Sequence, residues 1–203
     1  MAKITALFWD VGGVLLTNGW DHHARRRAAE KFKLDWEDFE DRHDLVVSRF
    51  ETGHLTLDRY LDRTIFYRSR NFSKEDFREF MFAESQPLKG TLDLAGRLAR
   101  SGKYFLATLN NESRELNLHR IERFGLRKVF SVFFSSCFLG VKKPDDEIFR
   151  LALDLSQRAP DECIFIDDRP LNLECAGRSG LRTLRFQNAG QLESDLRGAG
   201  VEF

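Results

Sequence analysis

Five short apolar runs, each followed by a turn and then a helical pattern, constrain this chain more than any other feature. The runs lie near Ile4–Phe8, Tyr104–Leu109, Val132–Phe134, Cys163–Ile166 and Arg182–Arg185. Helical periodicity appears near Leu92–Ser101, Glu112–Phe124, Asp146–Leu155, Leu171–Arg178 and Gln191–Leu196. Strands alternating with helices of this length imply an α/β fold, a mainly parallel sheet with both faces covered. The alternation breaks once. From Asn18 to Gln86 no convincing strand occurs, and apolar residues recur at helical spacing: Ala24, Ala28 and Phe32, then Leu45, Val46 and Phe50, then Leu57, Tyr60, Leu61, Ile65 and Phe66. Gly53 and the helix start Ser73-Lys74-Glu75-Asp76 punctuate the block. Residues 18–87 are therefore expected to form a small, all-helical cap. It would sit over the C-terminal sheet edge of a core built from residues 1–17 and 88–203, and that edge is the default ligand crevice of an open α/β sheet.

At 203 residues the chain can bury one good core with a small satellite. Its 32 basic and 32 acidic residues balance, which removes any electrostatic case for nucleic acid or a membrane surface as partner. No apolar run approaches a transmembrane span, and Met1-Ala2-Lys3 leads straight into a strand instead of a signal peptide. Cys137, Cys163 and Cys175 show neither CxxC nor zinc spacing; the last two lie in apolar stretches and read as core residues. A reducing cytoplasm is the expected compartment.

Four features fall at the ends of the expected strands. They are Asp10, the Asn110-Asn111 turn, the segment Gly140-Val141-Lys142-Lys143-Pro144-Asp145, and Asp167-Asp168 followed by Asn172 and Gly180. Together they suit a phosphoryl group and a divalent cation. Mg²⁺ is held by one or two carboxylates plus waters and phosphate oxygens; Asp10 and Asp167 could supply these, with Asp168 nearby. Lys143 is a compact charge able to pair with both Asp10 and a phosphate oxygen. Backbone N–H groups around Val11-Gly12 and Asn110-Asn111 could complete an anion cradle, and glycine at 12 and 13 lets the backbone approach closely. Singly, each feature has an ordinary structural role, such as a helix cap or an Asx turn. Their order and shared sheet edge carry the inference.

The combination resembles the haloacid dehalogenase-like superfamily over nearly the whole chain. The matching segments are Phe8-Trp9-Asp10-Val11-Gly12-Gly13-Val14-Leu15, Asn110-Asn111, Gly140–Phe149 and Phe165-Ile166-Asp167-Asp168. The helical block is inserted where that family carries its C1 cap. The resemblance implies a Rossmannoid three-layer core and an attack of Asp10 on phosphorus that forms an aspartyl-phosphate. It also implies Mg²⁺ bound by Asp10, the Gly12 carbonyl and Asp167, with a small phosphorylated metabolite as substrate.

Two positions depart from the family's phosphatase pattern. The aspartate that protonates the leaving group and later activates water is replaced by Gly12, and the Ser or Thr of the second motif by Asn110, unless Thr108 serves through another register. An asparagine amide can still donate to phosphate. Loss of general acid–base catalysis removes about 10²- to 10⁴-fold, which slows nucleophilic and metal catalysis without abolishing it. A substrate with a good leaving group, such as an anomeric or acyl phosphate, would tolerate Gly12; so would a proton donor from the cap, for which His22, His23 and His54 are candidates. Trp20, Asp21, His22 and Arg49 are candidate cap contacts, and Arg25-Arg26-Arg27 reads as a solvated helix face. The sequence thus favours a Mg²⁺-dependent phosphohydrolase. The alternatives are a catalytically weak phosphate-binding or regulatory protein, and a 2-haloacid dehalogenase, against which the Asp167-Asp168 pair argues.

Overall fold

The structure, a computed structural model, describes residues 2–203; Met1, part of the expected N-terminal lead into the first strand, lies outside them. Five strands form one sheet: β1 (Ala6–Trp9), β2 (Phe105–Asn110), β3 (Val132–Ser135), β4 (Cys163–Asp167) and β5 (Arg182–Arg185). Their order is β3-β2-β1-β4-β5 and every pairing is parallel. β1 is therefore central. Alternate side chains leave a strand on opposite faces. Leu7 and Trp9 join one buried cluster with Leu94 and Leu98 of α5 (Lys89–Ser101) and Leu192 and Leu196 of α10 (Ala189–Gly198). Ala6 and Phe8 join another with Ile148, Phe149 and Ala152 of α8 (Asp146–Ser156) and Cys175 and Ala176 of α9 (Pro170–Arg178). Helix, sheet and helix make the three layers. Two further helices, α6 (Arg114–Arg123) and the short α7 (Ser136–Leu139), follow β2 and β3.

Between β1 and α5 lie α1 (His22–Phe32), α2 (Trp36–Glu51), α3 (Leu57–Thr64) and α4 (Lys74–Ala83). Each starts at a side-chain N-cap: Asp21, Asp35, Thr56 and Ser73, the last within a full capping box. These helices bury an aromatic cluster of their own, with Trp20, Phe39, Phe50, Tyr60 and Phe77, against which Leu116 of α6 also packs. The chain enters and leaves the block through a two-stranded ribbon. Thr17 N donates to Gln86 O at 2.8 Å and Leu88 N to Leu15 O at 2.9 Å. Among the described residues no helix is long and apolar enough to cross a membrane.

The structure corrects several expectations. β1 begins two residues later than its apolar run, and β2 and β4 each extend to the polar residue that ends them, Asn110 and Asp167. Ile4 is buried by packing without being part of the strand. On α2 the inward stripe is Phe39, His43, Val46 and Phe50, whereas Leu45 is 83% exposed, about 100° around the helix from Val46. Arg25 is not on a solvated face. It is buried, its fork gripping Glu40 at 2.5 and 3.1 Å while Nη1 donates to Trp20 O at 2.9 Å. Arg25→Ala would leave Glu40 and the Trp20 carbonyl without these partners. We expect it to cost about 2 kcal/mol in urea unfolding; a loss under about 0.5 kcal/mol would return Arg25 to the class of exposed surface charges.

Candidate active site

The register of the three central strands assembles the site. Trp9 is paired with Ile166 and with Thr108, so the residues that follow, Asp10 and Asp167, emerge side by side from the C-terminal edge. Asp10 N donates to Ile166 O at 2.9 Å, fixing the turn. Lys143 Nζ lies between the two carboxylates, 3.0 Å from Asp10 Oδ1 and 2.6 Å from Asp167 Oδ2, and all three groups are buried. Asp167 is further held by Arg169 N at 2.8 Å and by the Asn172 amide at 3.1 Å to each oxygen. Asn111 clamps the Lys143 main chain from both sides: its Oδ1 accepts from Lys143 N and its Nδ2 donates to Lys143 O, each at 2.8 Å. The lysine is thereby fixed at backbone and tip alike.

Asp168 completes the acidic cluster. Asp10, Asp167 and Asp168 each offer a carboxylate oxygen within 4.8 Å of the others. Gly13, at φ +79°, permits this: a Cβ there would stand 2.6 Å from Asp168 Oδ2. Three carboxylates thus face one ammonium, leaving negative charge in a place poor in water. Burial, and to a lesser extent the neighbouring Asp167, push the Asp10 carboxyl up to about 7, although Lys143 pulls the other way. Burial and Asp167 also raise Asp168, whose Oδ1 is sealed from solvent with no partner among the described residues. For Lys143 burial works downward, but Asp10 and Asp167 outweigh it and hold the ammonium above its ordinary range. An orphaned carboxylate oxygen in an all-oxygen, under-neutralised cluster fits a hard divalent cation.

Above the cluster opens a cavity of about 420 Å³, lined on the sheet side by Asp10, Gly12, Asn111 and Lys143 and on the helical side by Trp20, Asp21, His43 and Phe50. Lys142 and Glu51 form an ion pair of 2.8 Å at its wall, joining the segment before α8 to α2. Asp21 caps α1 through Ala24 N at 2.8 Å while lining the cavity.

Other expected residues are placed differently. The Val11 N–H donates to Asp10 Oδ1 at 2.8 Å, so it orients the carboxylate and is engaged there; the Gly12 N–H has no acceptor among the described residues. Asn110 is buried in a closed ring of hydrogen bonds, donating to Asn117, which donates to Ser135, which donates back to Asn110. Its amide ties β2, β3 and α6 together and does not line the cavity. Thr108 is sealed in the sheet. Gly180 turns the chain between α9 and β5 at φ +86°. His22, bonded to Glu40, and His23, His54 and Arg49 are all exposed and outside the cavity lining.

Three buried, charged or titratable residues of the cavity lining escaped the sequence reading. Arg120 of α6 is buried beside Gly12, with Nε donating to Ser85 Oγ at 2.9 Å, Nη2 to Thr17 O at 3.1 Å, and Nη1 2.9 Å from Glu112 Oε2. It therefore ties the segments at the start and the end of the helical block to the sheet edge. Glu112 is the second, its carboxyl raised by burial against the pull of Arg120. His43 is the third. A charged or titratable residue inside an apolar helical stripe was the available signal, in Leu116-Asn117-Arg120-Ile121 and again in Phe39-His43-Val46-Phe50.

A family model of haloacid dehalogenase-like hydrolases matches residues 4–180. Flavin mononucleotide hydrolase 1 of Arabidopsis thaliana is 33% identical over 160 residues, 79% of this chain and 64% of that protein. (S)-2-haloacid dehalogenase 4A of Burkholderia cepacia is 25% identical over 134 residues, 64% of this chain and 58% of that one. The chain thus spans under two thirds of the length of these curated relatives. A HAD family enzyme of Bacteroides thetaiotaomicron superposes with a TM-score of 0.80 at 22% identity, covering 92% of this chain and 95% of that one. The same enzyme has been crystallised with magnesium and inorganic phosphate, and in that form the TM-score is 0.77.

Proposed function

The chain belongs to the haloacid dehalogenase-like hydrolases, and from that premise we propose that it is a Mg²⁺-dependent phosphohydrolase acting on a small phosphorylated metabolite. The observation that carries this reading is the buried Asp10–Lys143–Asp167 cluster, under-neutralised and extended by Asp168, whose Asp10 and Lys143 line the cavity with Asp167 and Asp168 behind them. A carbon displacement such as dehalogenation has no need of so many carboxylates at that edge. Residues 18–87 would act as the cap that encloses the leaving group, and residues 1–17 with 88–203 as the catalytic core. The three cysteines are buried and unpaired, as a reducing compartment such as the cytoplasm leaves them.

Asp10 is the nucleophile in this reading. Its Oδ1 is engaged by Val11 N and Lys143, which leaves Oδ2 to attack phosphorus. The bond from phosphorus to the leaving-group oxygen breaks, that oxygen takes its proton from water in the absence of a side-chain acid at Gly12, and an acyl phosphate forms on Asp10. Water then attacks the phosphorus, releasing inorganic phosphate and restoring the carboxylate. Mg²⁺ would be held by Asp10, Asp167, Asp168 and the Gly12 carbonyl, and when bound it supplies the positive charge that keeps the Asp10 carboxyl ionised and screens it from an anionic substrate. Lys143 holds the two carboxylates in place and faces the cavity as a phosphate partner. The free Gly12 N–H is a further donor for the anion.

Purified protein should release phosphate from a member of a panel of sugar, nucleoside, flavin and acyl phosphates in the presence of Mg²⁺, and EDTA should stop that release. Mg²⁺-dependent binding of beryllofluoride without turnover of any panel member would instead support a phosphate-binding role. Halide release from 2-chloropropionate that persists in EDTA would point to dehalogenation.

A further inference from the structure

Trp20, Tyr60 and His43 form a buried hydrogen-bonded chain under the cavity roof, from the start of α1 through α3 to α2. Trp20 Nε1 donates to Tyr60 Oη at 2.9 Å, and Tyr60 Oη lies 2.8 Å from His43 Nδ1. An indole N–H can only donate, so the phenol oxygen accepts there. Its own hydrogen is within reach of His43 Nδ1 at 2.8 Å, which accepts it in the neutral tautomer that carries the ring proton on Nε2. The chain thus fixes a tautomer as well as an orientation: Phe50 stacks on the Tyr60 ring at 4.2 Å, and His43 meets it edge-on.

We propose that His43 is the residue that reads the leaving group, its Nε2–H donating to an uncharged hydroxyl or carbonyl oxygen of the substrate. His43 lines the cavity and its Nε2 has no partner among the described residues. The groups around it keep the ring in one form. Burial first, then the Arg25 guanidinium and Lys142, push the imidazole down to about 3, with Glu40 opposing. A ring that stays neutral at physiological pH is a poor proton source for a departing alkoxide and a fixed donor for recognition. His43 therefore supplies selectivity and leaves the proton missing at Gly12 unreplaced. Trp20 and Phe50 add apolar surface beside it in the same wall. The substrate class is a monophosphate ester whose leaving group combines an apolar or ring face with oxygen acceptors, as sugar and heterocyclic phosphates do.

The inference rests on the phosphohydrolase reading and is tested by a ratio. Acetyl phosphate has a leaving group too small to use the cap wall, so kcat/KM is measured for it and for the best hydrolysed sugar, nucleoside or flavin monophosphate. The enzymes are wild type, His43→Leu and His43→Gln, all with Mg²⁺. The ratio of the larger substrate to acetyl phosphate should fall about 10-fold in His43→Leu, the worth of one hydrogen bond at the upper end of its range. His43→Gln, whose amide N–H replaces the Nε2 donor, should recover most of that ratio. A merely structural role for His43 lowers both substrates together and leaves the ratio unmoved; that result, or an unchanged ratio with both activities intact, overturns the proposal. Wild-type protein that releases phosphate from no substrate overturns the phosphohydrolase reading itself, and this inference with it.

Discussion

Asp10→Asn is expected to lower phosphate release at least about 10⁴-fold while raising the melting temperature of the metal-free protein. The activity loss follows from the attacking oxygen: the amide keeps one acceptor for Val11 N and Lys143, but its NH₂ replaces the only free carboxylate oxygen. The stability gain follows from charge. Without a cation, Asp10, Asp167 and Asp168 oppose each other across one ammonium, and burial with Asp167 already pushes the Asp10 carboxyl up to about 7. A carboxyl whose folded pKa is raised weakens the fold as pH climbs from the unfolded value through the folded one, so at pH 8 the ionised group is a net cost. Removing it should stabilise the protein in EDTA by about 1–2 kcal/mol. The sign should reverse as Mg²⁺ is added, because ligand binding stabilises wild type by about 2.7 kcal/mol at a hundred times its Kd and the variant has lost a ligand. Thermal melts of both proteins across a Mg²⁺ titration read out both effects. Activity surviving in Asp10→Asn would remove it as nucleophile; a lower melting temperature in EDTA would show that the carboxylate contributes more by bonding than it costs by repulsion.

The residues of that cluster were legible because strand ends converge whatever the loops between them do. Once the apolar runs are taken as parallel, Asp10 and Asp167 fall on the same sheet edge, where the order that sets β1 beside β4 makes them neighbours, and Lys143 arrives from a loop, in a recognisable Lys-Lys-Pro-Asp segment. The strand limits were less legible, since a ladder stops where its hydrogen bonds stop and not where apolarity does. Asn110 illustrates the harder problem. Its chain position at the end of β2 suggests a phosphate donor, but the amide's direction depends on Asn117 and Ser135, which reach it from another helix and another strand. The helical wall was the least legible part. Whether Leu45 or His43 faces inward is decided by how α2 rotates against α3, and neighbouring apolar residues on a helix lie about 100° apart. Arg25 and Arg120 were obscured in another way: a guanidinium is buried only where carboxylates and carbonyls are waiting, as Glu40 and Glu112 are, and those partners lie 15 and 8 positions away in sequence.

Gly12→Asp should speed turnover by about 10²-fold or more and remove a phosphoenzyme that lingers in the wild type. The position accepts a side chain. Gly12 is not in the left-handed region, and a Cβ there would meet Asn18 Oδ1 at 3.1 Å, a movable side-chain tip, with Arg120 Nη1 at 3.7 Å. The buried Arg120 guanidinium beside that position favours the ionised form of a carboxylate placed there. That carboxylate is therefore set up as a base, suited to activating the water that hydrolyses the aspartyl-phosphate, and less suited to protonating a leaving group. The gain should accordingly concentrate in the second half-reaction. With acetyl phosphate, whose leaving group departs without a proton, a rapid-quench experiment should show a burst of phosphoenzyme in wild type and none in the variant. With a poor leaving group the improvement should be smaller. A variant no faster than wild type on either substrate would mean that the water is already activated from elsewhere. Glu112 is then the group to remove: it lines the same cavity, its carboxyl is raised by burial, and Arg120 links it to the space beside Gly12. Glu112→Gln would in that case lower the dephosphorylation rate while leaving the burst intact.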